Sequence, residues 1–163
     1  YNLKNCIQTN LSLIDKEYIE LFKEYNVHVG FSFDGPKEIN DSQRVDTNGN
    51  GTYNTIVSKI KLCKENSISL GCIAVGSKRH MGHIQELYQC MCKHQLNFKF
   101  NPLFEAGEAQ NNGDYGITPN EYAQMAIELF DLWYNDNLNQ INESNILKQI
   151  SLPALPPYLE ILV

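Results

Sequence analysis

Val27-His28-Val29-Gly30-Phe31-Ser32-Phe33-Asp34-Gly35-Pro36 passes from an apolar, β-branched and aromatic run into a turn, and Asp41-Ser42-Gln43-Arg44 follows after a short polar gap. Val27 to Phe33 reads as a strand. A hydroxyl, a carboxylate and a guanidinium therefore stand just past a strand, at the position where parallel sheets hold their ligands.

Working outward, strand-length apolar runs alternate with segments of helical period. Leu3 to Thr9 reads as a strand, and Asp15 caps a helix whose apolar positions are Tyr18, Leu21, Phe22 and Tyr25. After the Asp34 loop and the Gly49-Asn50-Gly51 turn, a helix is predicted from about Thr52 to Asn66 with Ile56, Ile60 and Cys63 on one face. Ser69 to Val75 is the next strand, His83 to Gln95 a helix with Ile84, Leu87 and Met91 as its stripe, and Asn97 to Leu103 a strand. A long Gly- and Asn-rich loop leads to Thr118-Pro119-Asn120-Glu121. That is a capping box with proline at the first helical position, and it starts a helix through Ala126, Leu129, Phe130 and Trp133 to about Asn135. Residues 1–137 are read as one domain, and 138–163 as an unassigned tail in which Pro153, Pro156 and Pro157 forbid a continuous helix.

Four strand and helix units in strict alternation imply an α/β fold with parallel strands and right-handed crossovers. An open doubly wound sheet and part of a (β/α) barrel both satisfy this. A complete eight-unit barrel takes about 250 residues, so a chain of 163 residues supplies a portion of one. The missing initiator Met is read as the mark of an interior piece.

The composition is ordinary for a globular domain, with 42% hydrophobic and 20% charged residues. A net charge of -6 with scattered Lys and Arg speaks against nucleic acid. No run of about 18 apolar residues is present for a membrane span, and no signal peptide is seen at Tyr1. A cytoplasmic protein with small-molecule or peptide partners is expected. Cys6, Cys63, Cys72, Cys90 and Cys92 lack a paired zinc spacing and are read as neutral thiols. His28, His80, His83 and His94 are assigned to surface or capping roles. Asp46 to Gly51 imitates half a calcium loop, but Val57 stands at its twelfth position, and a tight turn is the better reading. No P-loop, dinucleotide fingerprint or hydrolase triad is legible.

The strand ends carry Gln8-Thr9-Asn10, Ser32 with Asp34, Gly76-Ser77-Lys78-Arg79, and Asn101, Leu103 and Glu105. Each alone has a local alternative: Asp34-Gly35-Pro36 can be a plain turn, and Gln8-Thr9-Asn10 can satisfy loop backbone.

Taken in order, Gln8-Thr9-Asn10, Gly30 to Pro36, Asn40 to Val45, Gly49-Asn50-Gly51-Thr52-Tyr53 and Phe98 to Leu103 resemble radical S-adenosylmethionine (SAM) enzymes of the SPASM-containing class. The likeness is greatest to anaerobic sulfatase-maturating enzymes and peptide maturases, including maturases of ribosomal peptides (RiPPs). The resemblance covers roughly Leu3 to Asn135 and implies strands three to six of a partial TIM-type barrel, incomplete in this chain. It implies that Ser32 and Arg44 hold the carboxylate of S-adenosylmethionine, since a guanidinium fork pairs a carboxylate and a hydroxyl adds a hydrogen bond. Asp34 would meet a ribose hydroxyl or the ligand's amine, or organise its loop. Leu103 would pack on adenine, and Gln8 and Asn10 would face a substrate peptide.

The family's Cys-x3-Cys-x2-Cys, which binds a [4Fe-4S] iron-sulfur cluster, is absent, so cluster ligands are expected outside this chain and no metal site within it. Leu11 replaces a common Gly, and Asn40 a usual His. The resemblance implies an oxidoreductase in which a 5′-deoxyadenosyl radical abstracts hydrogen from a peptide or protein, with this chain inactive alone and completed by the remainder of its own polypeptide. The alternative is a truncated α/β binding or interaction module for a small carboxylate.

Overall fold

Strand β2 (Val27–Ser32) shows the alternation of a strand with one covered face: Val27, Val29 and Phe31 are buried, whereas His28 is exposed and Gly30 and Ser32 are half-buried. A computed structural model describes residues 4–103, 115–144 and 159–161, with side chains as far as residue 136. The same alternation recurs in β3 (Leu70–Gly76) and β4 (Phe98–Pro102), so one face of the sheet is apolar and covered while the other is open. Strand β1 (Asn5–Thr9) is exposed along most of its length.

The described strands form a five-stranded sheet in the order β1-β2-β3-β4-β5, every neighbouring pair parallel. A doubly wound sheet reverses direction at a switch point. This order never reverses, so the partial barrel is the correct alternative, with β1 and β5 at the edges of the described sheet. The fifth strand, β5 (Leu159–Ile161), pairs with Phe98 to Phe100 and comes from the tail that sequence reading left unassigned.

Helices α1 (Lys16–Glu24), α3 (Tyr53–Glu65), α4 (Ile84–Lys93) and α5 (Pro119–Ser144) supply the layer over the apolar face, and a short helix α2 (Lys37–Gln43) follows β2. Asp15 caps α1 by accepting the Glu17 and Tyr18 amides at 2.9 and 3.1 Å. The Thr118 box is formed in both directions, with Glu121 Oε2 accepting the Thr118 amide at 2.6 Å and Thr118 Oγ1 the Glu121 amide at 3.2 Å. The expected stripes of α3 and α4 are buried as read.

Two stripes differ. On α1 the buried residues are Ile19 and Phe22, and Tyr18, Leu21 and Tyr25 are about half exposed. On α5 Met125, Ala126 and Leu129 are buried, while Phe130 faces outward and stacks on Tyr134. Helix α2 also replaces an expected loop. Its seven residues hold one buried apolar side chain, Ile39, too few to show a period.

Candidate functional site

The carboxyl ends of β2 and β3 meet around Asp34. Its side chain is 1% exposed, and Arg44, at the end of α2, lies against it with Nε 2.6 Å from Oδ2 and Nη2 3.1 Å from Oδ1. The Val75 amide donates to Oδ1 at 2.9 Å. Both carboxylate oxygens are therefore engaged within the protein: of the two tasks expected of Asp34, a ribose or amine contact or the organisation of its loop, the geometry matches the second, and it holds a guanidinium and a strand-end amide. Arg44 uses its Nε–Nη2 edge for this, and its side chain remains 25% exposed. The Nη1–Nη2 edge is left as a second planar fork, which is the arrangement that pairs a carboxylate.

Ser32 closes β2 on the open face, two residues before Asp34, and is paired in register with Ile73. Leu103 lies just beyond β4, tied to the neighbouring strand end by its amide donating to the Gly76 carbonyl at 2.9 Å. Ser32, Arg44 and Leu103 thus share the carboxyl end of the sheet. Gln8 belongs to the same open face lower down: a Cβ at Gly30 would run into its amide, so glycine makes room for that side chain. Asn10 is turned to its own loop, its Oδ1 accepting Ser12 Oγ at 2.8 Å and the Ser12 amide at 3.1 Å. Glu105 falls outside the described residues.

Several residues in this region were named from sequence without a site role. Asn40, fully buried, accepts the Asp34 amide on Oδ1 at 3.3 Å and reaches Asp41 and Thr52 with Nδ2. Asp41 in turn accepts the Tyr53 amide at 2.7 Å, tying α2 to the start of α3, and Gly51 is required where that carboxylate approaches the backbone. His80, expected on the surface or in a cap, is in a cap but 0% exposed, within a single 3-10 turn over Lys78–His80. Burial pushes its pKa down, the nearby Asp34 opposing. Asn101 Oδ1, on the open face of β4, is buried without a hydrogen-bond partner, which leaves an acceptor for a ligand donor. The advance signal was the motif for Asn40, Asp41 and Gly51, and a place at a strand end for Asn101 and His80.

The open face forms a trough of about 640 Å³ lined by Cys6, Gln8, His28, Gly30, Gly71 and Lys99 among others. Cys63, Cys72 and Cys90 are buried and Cys6 and Cys92 exposed. Burial raises the pKa of Cys63, Cys72, Cys90 and Cys92, so these four are neutral thiols. Among the described residues no three His, Cys, Asp or Glu side chains are grouped to hold a metal. The described residues thus offer no grouped thiolate set that an iron-sulfur cluster would need. No described helix is long and apolar enough to cross a membrane. Asp46 organises its turn by accepting the Asn48 and Asn50 amides, with Gly49 at φ 81°.

A parallel sheet wound in one direction, with polar groups gathered at the carboxyl ends of its strands, is the layout of a (β/α)-barrel ligand-binding domain. The radical SAM superfamily description matches residues 1–91, and the chain belongs to that superfamily. It is similar to the cysteine-type anaerobic sulfatase-maturating enzyme of Clostridium novyi (strain NT), 33% identical over 146 residues, covering 85% of this chain and 39% of that protein. The enzyme of the same name from Clostridium perfringens (strain 13 / Type A) is 33% identical over 147 residues, covering 85% and 38%. The solved structure of native anSMEcpe with bound AdoMet and Cp18Cys peptide superposes with a TM-score of 0.77 at 29% identity, over 84% of this chain and 39% of that one. The chain thus spans about two fifths of the length of these relatives.

Proposed function

We propose that this chain is the part of a radical SAM enzyme that grips the carboxylate end of S-adenosylmethionine, and that the complete protein modifies a peptide or protein. The observation that carries the reading is the Arg44 guanidinium, held side-on by buried Asp34 with its other edge open beside the β2 end. Ser32 adds a hydroxyl on the same face, and Leu103 an apolar surface at the next strand end but one. Asp34 acts through Arg44. Gln8, on the open face, lies toward the substrate side, and Asn10 follows in the loop beyond its strand.

S-adenosylmethionine, when bound with a reduced [4Fe-4S] cluster held outside this chain, supplies radical hydrogen abstraction; the residues here bind and orient. The names of the similar enzymes point to sulfatase maturation, and the Cp18Cys peptide bound by anSMEcpe points to a peptide substrate. Five free thiols suit a reducing, cytoplasmic setting.

In the complete protein, Arg44→Ala is expected to weaken S-adenosylmethionine binding by about 1.5 to 3 kcal/mol, the worth of a hydrogen bond to a charged group. Unchanged affinity by titration calorimetry would remove Arg44 from the site.

A further inference from the structure

The polar side chains that are fully buried among the described residues are those of Asp34, Asn40, Ser77 and His80, and hydrogen bonds gather all four around Arg44. Polar burial on this scale, confined to one end of the sheet, requires a reason, because each such group costs stability unless it is paired.

The pairing forms a ring. The Ser77 amide donates to His80 Nδ1 at 3.2 Å. An amide can only donate, so Nδ1 is the acceptor and the proton resides on Nε2, which donates to the Asp34 carbonyl at 3.0 Å. The Asp34 carboxylate then takes Arg44 through Nε and Nη2. Gln43, the residue before Arg44, closes the ring by donating its amide to Ser77 Oγ at 2.8 Å. Phe100 packs edge-on against the imidazole, with centroids 5.8 Å apart, and fixes the plane of the ring.

A histidine that merely filled core space would need no such match at both nitrogens. Here each nitrogen meets a backbone group from a different strand end, and the two anchored segments are the ones that carry the partners of Gln43 and Arg44. We propose that His80 is a positioning residue for Arg44: it fixes the Asp34 backbone and, through Ser77, the Gln43 side chain, and so sets where the open edge of the guanidinium points. The inference rests on the reading of Arg44 as the carboxylate clamp.

The test uses the complete protein and two probes, S-adenosylmethionine and its decarboxylated counterpart, which lacks the group Arg44 would hold. His80→Asn keeps an acceptor near Nδ1 and loses the donor to Asp34; His80→Gln keeps a donor near Nε2. His80→Asn is expected to weaken S-adenosylmethionine roughly tenfold, about the worth of one hydrogen bond, and to leave the decarboxylated probe unchanged. His80→Gln should recover affinity to within about threefold of wild type, since it restores that same bond. Should His80→Asn fail to fold, Gln43→Met breaks the ring from its half-exposed member and should show the same carboxylate-selective loss, about threefold.

Equal weakening of both probes would make His80 a structural residue only, and no change in either would deny it any part; both overturn the proposal. If Arg44→Ala weakens S-adenosylmethionine while the His80 and Gln43 variants do not, the positioning role fails alone. If Arg44→Ala has no effect, the clamp reading itself fails.

Discussion

The two faces of this sheet are built from alternate residues of the same strands, yet they obey opposite rules. On the covered face Val29, Phe31, Ala74 and Phe100 are 0% exposed and interlock with the stripes of α1, α3, α4 and α5. On the open face His28, Gly30, Gly71 and Lys99 border a trough, with glycines where neighbouring side chains lie across the strand. One face stores the folding free energy and the other leaves an open trough. The polar ring around Arg44 lies at the seam, buried like the first face and directed toward the second.

The sharpest way to break this comparison is to cut equally into both faces. Phe100→Ala should cost about 3 to 5 kcal/mol in urea unfolding, because a filled aromatic site becomes a cavity. His28→Ala, which removes an exposed ring bonded to Ser69, should stay within about 0.5 kcal/mol. Similar losses at the two positions would show that the open face is also core.

Asp34→Ala probes the seam. It strands the Val75 amide and leaves the Arg44 guanidinium without its buried counter-ion, and should cost about 3 kcal/mol of stability. A loss under 1 kcal/mol would place the pair with ordinary surface ion pairs.

A smaller effect is expected with pH. Burial lowers the pKa of His80 below its unfolded value, so on acidification the unfolded chain takes up the proton first. Stability from neutral His80 is complete above about pH 6.5, the unfolded value, and is lost as pH falls below it toward the folded pKa. His94 is shifted the same way by burial and by Lys93 and Lys64. The urea midpoint should therefore fall between pH 7 and pH 5, and fall less in His80→Gln. An equal fall in that variant would assign the slope to His94 and the carboxylates.

Much of the fold was legible because its signals are local. The capping box at Thr118, the Asp15 cap and the stripes of α3 and α4 depend on residues three or four apart, and the structure has them as read. Helix ends fell within two residues of the expected Asn66 and Gln95, without the glycine that usually marks them. Asn26, Ser67 and Gln95 all adopt left-handed φ values of 47 to 59° just past α1, α3 and α4, the place where glycine is the usual sign. After α3 and α4 the next apolar residue closes the turn, Ile68 on the Cys63 carbonyl and Leu96 on that of Met91. Leu11 is a similar case. It takes φ 66°, with its side chain 0% exposed; core burial offsets the roughly 1 to 2 kcal/mol that this conformation costs.

At the site, the order of motifs marked Ser32, Asp34, Arg44 and Leu103, and it left open whether Asp34 would meet a ligand or organise its loop, because it could not say that Asp34 would face inward onto Arg44. The α1 stripe shows the same limit. Its apolar positions exceed what one sheet face can cover, and which of them turn inward is set by the angle at which the helix lies.

By itself the sequence determined the alternation of strands and helices, hence parallel strands and a ligand end at their carboxyl termini, since periodicity and capping are short-range properties of the chain. The order of its motifs also pointed to a partial barrel over a doubly wound sheet, and the one-directional strand order agrees; only the tertiary structure paired Asp34 with Arg44 and buried His80. Arg44 is 10 positions from Asp34, but the bonds that hold the pair in place join groups 34, 41 and 46 positions apart. A buried polar group is stable only when such distant partners arrive together, and no local pattern records that they will.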